Sequence, residues 1–429
     1  MSKTSINIGL IGAGTVGSGL IQILSESTKT IFDKTGLEIN LKLVCDKNTS
    51  KLKPTNFEVV NDYKKITENP QIDLVVELVG GTGIAFEIIK SALENSKYVV
   101  TANKALLSEK GDELFTLART KNVEIGFEAS VAGAIPIIRS IKTGFASNRF
   151  DSLYGILNGT TNFILTKMEE ENMDYLDALK LAQNLGFAEL DPSFDVEGID
   201  AAHKLSLLAS IAFTQKVPIQ NITIEGITKI TKSEIQLAKS LGLRIKLLAI
   251  CKRIGEELEL RVSPVMLPIS HPIASVKNEM NAVYVETSYS GSALFMGKGA
   301  GSLPTASAVL SDIIHYGSKS LNQNSNFEKN LFQTGKVANS LDSNSRFYIR
   351  IKTIDKPGVL GEITSILGKH SISISSMRQN ESTEGEIVDL IILTHYSKLK
   401  NIEESLNEID HLSPIVKEKS IRLRLEDLS

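Results

Sequence analysis

Six residues near the amino terminus, Gly12-Ala13-Gly14-Thr15-Val16-Gly17, follow the pattern G-x-G-x-x-G. That pattern binds a dinucleotide when a strand precedes it and a helix follows. Gly12 permits a tight turn, Gly14 lets the backbone approach a pyrophosphate, and Gly17 lets the helix lie close to the sheet. The helix N-terminus adds unpaired N–H groups and a partial positive charge. Asp46 is the acid expected after the second strand, although it lies beyond the usual spacing of about 20 residues. A carboxylate there accepts from a ribose 2′-hydroxyl and repels a 2′-phosphate, which favours NAD. The adjacent Lys47 can pair with a 2′-phosphate, which favours NADP. Both cofactors stay open, as does a plain solvated loop acid.

Three further stretches are too polar for packing alone. Thr101-Ala102-Asn103-Lys104 follows a strand-like run, and Glu128-Ala129-Ser130-Val131-Ala132-Gly133-Ala134-Ile135-Pro136 follows another. The longest covers 185–204 and contains Gly186, Glu189, Asp200 and Lys204. Asp200 and Lys204 stand at i and i+4, so a helix puts them on one face. A surface salt bridge is one reading. A cleft wall is the other, because Ala201, Ala202 and Leu205 make the neighbourhood apolar. A lysine in a cleft can give a proton to a forming alkoxide and stabilise its charge, which is what hydride reduction of a carbonyl needs. Burial lowers such a lysine's pKa and a nearby carboxylate raises it again. Two rival chemistries lack their residues. The histidines, His203, His271, His315, His370, His395 and His411, show no metal-ligand spacing, so a zinc site is not expected. Cys45 and Cys251 lie in or beside apolar runs and read as core residues, not nucleophiles.

These groups need a scaffold. Residues 6–11 read as a buried strand, followed by the glycine turn and a helix to about 31. Strands at 41–45, 74–78, 98–101 and 124–127 alternate with helices at 85–95 and 112–121. That rhythm predicts an α/β, Rossmann-like, doubly wound parallel sheet. Beyond about Ser130 come longer helices, at 175–185 and 201–213, then alternating strands at 258–264 and 282–290. This predicts an α+β domain with a mostly antiparallel sheet. Residues 318–345, rich in Asn and Ser, read as a linker. The tail reads as strand 346–354, helix 357–369, strands 371–379 and 386–394, helix 399–409 and strand 415–425. That order, βαββαβ, is ferredoxin-like.

The composition agrees. A chain of 429 residues suggests about three domains. With 42% hydrophobic and 23% charged residues, it is ordinary globular material. A formal charge of −3 gives no electrostatic case for nucleic acid or an anionic membrane. Two cysteines make no disulfide scaffold and suit a reducing, cytoplasmic setting. Residues 6–24 are uncharged and mostly apolar, like a signal or anchor, but Gly9, Gly12, Gly14, Gly17 and Gly19 punctuate them. They read as a phosphate loop with its flanking elements.

Over residues 5–320 the chain resembles the homoserine dehydrogenase family. The resemblance is carried by Gly12–Gly17, Thr101–Lys104, Glu128–Pro136, Gly155-Ile156-Leu157-Asn158-Gly159-Thr160-Thr161-Asn162, 186–204 and Gly297-Lys298-Gly299-Ala300-Gly301. It implies NAD(P)-dependent interconversion of L-aspartate 4-semialdehyde and L-homoserine, on the route to threonine, methionine and isoleucine. It implies Lys204 as acid/base, Lys104 as a second catalytic and cofactor-side lysine, and Glu189 and Asp200 on the substrate. It implies cofactor contacts at Thr15, Val16, Gly186 and Gly301. It also implies a sodium site from the Glu128 carboxylate with Val131, Gly133 and Ile135, and a homodimer or homotetramer. The expected domains are 1–135 with a return at 297–320, a substrate and dimerisation domain at 136–296, a linker at 321–345 and a regulatory domain at 346–429.

The tail resembles an ACT domain through Asp355-Lys356-Pro357-Gly358-Val359-Leu360. Pro357 suits the first turn of a helix, and free N–H groups there can receive a carboxylate. The resemblance implies L-threonine as an effector near Asp355, Gly358, Val359 and Leu360, with a purely structural module as the other reading. Two alternatives stand beside the enzyme: an inactive sensor of dinucleotide and amino acid, and a related amino-acid dehydrogenase. Intact Lys104, Glu189, Asp200 and Lys204 argue against the first, and the 186–204 block against the second. No aspartokinase-like segment precedes Gly9, so a chain with both activities is not expected.

Overall fold

A computed structural model describes residues 5–47, 56–321, 338–379 and 382–426. The chain forms two units, Met1–Leu331 and Phe332–Ser429. No helix among the described residues is long and apolar enough to cross a membrane.

The first unit opens with β1 (Ser5–Ile11), α1 (Thr15–Thr35), β2 (Glu38–Cys45), β3 (Glu58–Val60), β4 (Leu74–Glu77), α2 (Ile84–Glu94), β5 (Tyr98–Thr101), α3 (Lys104–Thr120) and β6 (Ile125–Gly126). The strands form one sheet in the order β3-β2-β1-β4-β5-β6, and every pairing is parallel. Parallel sheets are covered on both faces, so their strands are apolar throughout. All four residues of β4 are buried. The strand order reverses between β1 and β4, and ligands of such sheets bind beyond the carboxyl ends at that point. Gly12, Asp46 and Thr101–Lys104 all stand at carboxyl ends. The short β3 was not expected, and α3 begins at Lys104, well before residue 112. Asn103 accounts for the early start, because its side chain caps the helix by accepting from Leu106 N at 3.1 Å.

The second sheet is built from β7 (Phe150–Ile156), β8 (Thr223–Ile224), β9 (Leu243–Ile254), β10 (Glu257–Pro268), β11 (Met280–Thr287) and β12 (Gly291–Lys298). Its order is β12-β11-β7-β9-β10-β8, antiparallel except at the β8–β10 pair. The twelve-residue β9 has no counterpart among the expected strands. Helices α4 (Gly159–Glu170), α5 (Tyr175–Asn184) and α6 (Ile199–Ala212) share one continuous core with this sheet. Helix α7 (Ser302–Ser320) returns to the nucleotide-binding sheet. The Ser302 hydroxyl donates to Thr15 O at 2.6 Å. Glycine at 19 makes this approach possible, since a Cβ there would lie 2.6 Å from Ser302 Oγ.

The second unit contains β13 (Asn344–Ile354), α8 (Val359–Lys369), β14 (Ile374–Gln379), β15 (Ile387–Thr394), β16 (Ser397–Lys398), α9 (Leu399–Asp410) and β17 (Ile421–Leu425). The sheet runs β14-β15-β13, with β17 on the other side of β13. This is the ferredoxin-like order, and the core contains Phe347, Ile349, Ile363, Leu367, Ile392 and Ile402. Two expectations are corrected. Pro357 lies before the helix, not in its first turn, because the N-cap Gly358 takes φ of 90°, outside the right-handed helix. The last strand starts at Ile421, not 415, and only Val416 of the earlier stretch bridges β13. Most of the expected linker, 322–337, lies outside the described residues; α7 still runs to Ser320 and β13 already starts at Asn344.

Candidate active site

Gly12 N donates to Cys45 O at 2.9 Å, which pins the loop between β1 and β2. Gly12 has φ of +98°, and a Cβ on it would lie 2.6 Å from the Leu78 backbone. A Cβ on Gly17 would lie 2.2 Å from Gly12 O, so the helix sits on the turn itself. Gly14, the N-cap of α1, is different: nothing lies within 4 Å of its Cβ position, and no side chain caps the helix. The first turn of α1, with Thr15 exposed and Val16 half-buried, therefore faces open space. That is the cradle a pyrophosphate needs.

Asp46 binds the loop directly, its Oδ2 accepting from Ala13 N at 2.6 Å. A cavity of about 360 Å³ lies beside it, lined by Gly12, Gly14, Asp46, Lys47, Tyr63 and Val79 among others. A second cavity, about 310 Å³, is lined by Thr15, Val16, Glu77, Gly80, Asn103 and Lys104. Glu77 was not expected. Fully buried at the end of β4, it accepts from Val79 N at 2.7 Å, Gly80 N at 3.2 Å and the Thr101 hydroxyl at 2.6 Å. It thereby joins the loops after β4 and β5. Asn103 adds a bond from its Nδ2 to Gly81 O at 2.7 Å.

Asp200 and Lys204 lie on α6, as the spacing requires, and both are buried. Lys204 Nζ donates to Asp200 Oδ2 at 2.7 Å and to Leu157 O at 2.6 Å. Lys104, at the start of α3, donates to Asp200 Oδ1 from the other side. Asp200 thus separates two ammonium groups. Burial alone would raise its pKa, but Lys204 and then Lys104 hold it well below the usual carboxylate range. Burial pushes Lys204 down; Asp200 opposes that and Lys104 adds to it.

Two polar residues absent from the expected site complete this cluster. Asn158 Nδ2 donates to Asp195 Oδ1 at 2.7 Å and to Asp200 Oδ2 at 2.9 Å. Its Oδ1 caps α4 by accepting from Thr161 N at 2.8 Å. Asp195 also accepts from the Thr160 hydroxyl at 3.1 Å. The sequence signal was an N-cap asparagine beside threonines, in a block already singled out.

Other expected residues are more loosely placed. Glu189 stands on an exposed stretch, and its carboxylate has no hydrogen-bond or ion-pair partner among the described residues. Gly186, with φ of +77°, lies on the same exposed stretch. Gly301 is the N-cap of α7, with φ of +127°. Both cysteines are buried, and burial pushes Cys251 up to about 12.

The Glu128 carboxylate is also buried and accepts from Ile138 N at 2.7 Å and Arg139 N at 2.9 Å. Burial pushes its pKa up despite those two bonds. Nearby in sequence, Ala132 and Gly133 take φ of +57° and +54°. The backbone carbonyls of Val131 and Gly133 accept no hydrogen bond from the described residues, whereas Ile135 O accepts from Ile137 N at 2.8 Å. In the second unit, Asp355 accepts from the Ser382 hydroxyl at 2.5 Å. Gly358 caps α8, Val359 is in the core and Leu360 is exposed.

Comparison with known proteins shows the family. Residues 12–128 match the homoserine dehydrogenase NAD-binding domain, 136–314 match homoserine dehydrogenase, and 347–411 match the ACT domain. The chain is 40% identical to the homoserine dehydrogenase of Neisseria gonorrhoeae, over 99% of both chains. It is 36% identical to that of Bacillus subtilis, over 97% of both. A solved homoserine dehydrogenase from Thiobacillus denitrificans has a TM-score of 0.72 at 39% identity, over 99% of both chains. A hyperthermophilic archaeal homoserine dehydrogenase mutant in complex with NADPH has a TM-score of 0.63 at 28% identity, over 73% of this chain and 98% of that one. This chain therefore belongs to the homoserine dehydrogenase family, NAD(P)-dependent oxidoreductases, and carries a C-terminal ACT domain.

Proposed function

We propose that the chain interconverts L-aspartate 4-semialdehyde and L-homoserine, with Lys204 as acid and base. The observation that carries this is the shared carboxylate: Asp200 between Lys104 and Lys204, on the unit that holds the glycine loop. An ammonium has three N–H donors. Asp200 and Leu157 O take two of those on Lys204. The third is left for a substrate oxygen, and giving it up leaves both protein bonds intact. Bound NAD(P) supplies or accepts the hydride. Gly12, Ala13, Gly14, Thr15, Val16 and Gly17 would hold its pyrophosphate, with Asp46 at the ribose and Gly186 and Gly301 at the rim.

Lys104, bonded to Asp200 from the other side, adds positive charge where an alkoxide forms. Asp200 orients both lysines and the hydroxyl end of the substrate. Glu189, whose carboxylate has no partner among the described residues, is suited to the substrate's ammonium group. A sodium ion fits the second feature. The carbonyls of Val131 and Gly133, without donors among the described residues, together with Ile135 O and Glu128, are the oxygen set a hard monovalent ion prefers. A homodimer or homotetramer is supported by apolar side chains left open on the second sheet, Met266, Leu294 and Met296. The ACT domain is proposed to sense L-threonine at the start of α8, around Asp355, Gly358, Val359 and Leu360. The domains are proposed to be 1–135 with a return at 297–320, then 136–296, a linker at 321–345 and 346–429, and the setting is proposed to be cytoplasmic.

One assay matrix tests these statements: homoserine with NAD or NADP, with and without sodium, and with and without threonine. Turnover with at least one cofactor is expected, stimulated by sodium and lowered by threonine. No turnover with either cofactor overturns the substrate assignment, and a flat threonine curve without binding leaves the ACT domain a structural role.

A further inference from the structure

His203 immediately precedes Lys204, and no role is assigned to it above. Its ring packs against Phe194, with centroids 5.7 Å apart and planes tilted by 33°. The Lys104 ammonium lies over the same Phe194 ring, 6.0 Å from its centroid. His203 Nδ1 is buried with no hydrogen-bond partner among the described residues. The charged groups acting on the ring are Lys104 and Glu109 from α3 and Asp200 from its own helix.

We propose that His203 is a positioning residue for Lys104: with Phe194 it forms the wall that holds this ammonium against Asp200, and only the neutral imidazole can do so. This rests on the roles given to Lys104 and Lys204 under Proposed function. An imidazolium needs an acceptor at both nitrogens, and among the described residues Nδ1 has none. A positive ring would also repel Lys104 and compete with it for Asp200. Lys104 and Lys204 already share the Asp200 carboxylate, so a third cation beside Lys104 adds repulsion where that carboxylate is already taken up. Burial first, and Lys104 second, push the His203 pKa below its ordinary value. The wall therefore survives at neutral pH and fails on acidification.

The reductive direction isolates this effect. Acid keeps Lys204 protonated, which the reduction requires, and leaves Asp200 ionised. Loss of rate at a pH below the ordinary histidine value of about 6.5 then belongs to neither. Wild-type kcat for semialdehyde reduction is expected to show that acid limb, and His203→Phe to lack it. At pH 8, His203→Ala is expected to lose about tenfold or more in kcat through misplacement of Lys104. His203→Phe, which restores a ring against Phe194, should recover most of the loss. An independent readout is the NMR titration of His203 in the full chain, assigned by loss of its signal in His203→Phe. Its midpoint should lie below 6.5 and rise in Lys104→Met, because a neighbouring cation is gone. The proposal is overturned if wild type has no acid limb, if His203→Phe keeps it, if His203→Ala matches wild type at pH 8, or if Lys104→Met leaves the midpoint in place. Failure of wild type to reduce the semialdehyde would instead remove the substrate reading, and the titration would still decide the His203–Lys104 coupling.

Discussion

Two buried lysines, Lys204 and Lys246, are held in nearly the same way. Lys204 Nζ donates to one side-chain oxygen, Asp200 Oδ2, and one carbonyl, Leu157 O. Lys246 Nζ donates to Asn162 Oδ1 at 2.8 Å and to Val276 O at 2.5 Å. The start of α4 serves both: Leu157 and Asn158 precede it, and Asn162 stands in its first turn. Burial lowers the pKa of each. What differs is the partner. Lys204 faces a carboxylate that also meets a second lysine, in a cluster that Lys104 leaves partly open to solvent. Lys246 faces a neutral amide inside the protein, at 1% exposure, and its pKa falls to about 7. On the roles proposed for these residues, burial alone does not make a lysine catalytic. A counter-charge that keeps the ammonium available, and an opening through which a ligand can take the proton, do.

The largest expected effect breaks the comparison at Lys204. Lys204→Met should lower kcat by roughly 10²–10⁴-fold, the range for losing a positioned general acid or base. Cofactor binding, followed by fluorescence titration, should change little because the glycine loop is untouched. A kcat near wild type would transfer the proton-transfer role to another group, Lys104 first. The next effect removes the shared counter-charge. Asp200→Asn should lower kcat by roughly 10²-fold through loss of orientation. It should also move the acid limb of homoserine oxidation to lower pH. The sign follows from the partner: Asp200 raises the Lys204 pKa, so without it the lysine turns neutral, and able to accept a proton, at a lower pH. An unmoved limb would assign it to another group.

Much of the first lysine's surroundings was legible in the sequence. Gly12, Gly14 and Gly17 each answer a separate steric need, so their spacing, read with a strand before and a helix after, pointed to a cofactor loop. Asp200 and Lys204 share a face by helical period alone. Lys104 meets Asp200 across 96 residues, and no local pattern encodes such a meeting; the family resemblance implied only that both serve one site. Asn158 and Asp195 were missed for the same reason, since their bond spans 37 residues. Glu77 was missed because a buried acid closing a strand has no distinctive spacing. Lys246 was hidden by its strand. The run Leu243–Ile254 is buried on both sides over most of its length, so it lacks the period-two alternation that marks a strand.

Lys246→Met tests the structural half of the comparison. It leaves Asn162 Oδ1 and Val276 O without this donor, which should cost roughly 1–3 kcal/mol at pH 9. Activity should remain within a few-fold of wild type. The pH dependence is more informative. With a folded pKa of about 7 and an unfolded value near 10.4, the unfolded chain binds the extra proton between these limits. The stability Lys246 contributes is thus present above about pH 10 and is lost as pH falls towards 7. Wild-type stability should rise with pH by up to about 1.4 kcal/mol per unit from this one group. The variant should lack that component, measured by denaturant unfolding at pH 7, 8 and 9. Parallel curves for the two proteins would mean that Lys246 is charged when folded.

The smallest and sharpest change is Asn162→Asp, which gives Lys246 the kind of partner Lys204 has. Two effects oppose each other. A carboxylate favours the ammonium and raises the folded pKa towards the unfolded one. The same substitution removes the Nδ2 donor that now serves Asn278 O at 2.9 Å and Met280 O at 3.2 Å. Absolute stability should therefore change by only about 1 kcal/mol, the worth of a typical hydrogen bond. Its slope between pH 7 and 9 should flatten, because folded and unfolded chains would then bind the same proton. If the slope stays as in wild type, the neutral amide is not what keeps Lys246 uncharged, and burial alone accounts for it. If the slope flattens while kcat is retained, one amide-to-carboxylate exchange will have reproduced the electrostatics of Lys204 without the acid/base chemistry proposed for it. Access to a ligand would then be the remaining difference between the two sites.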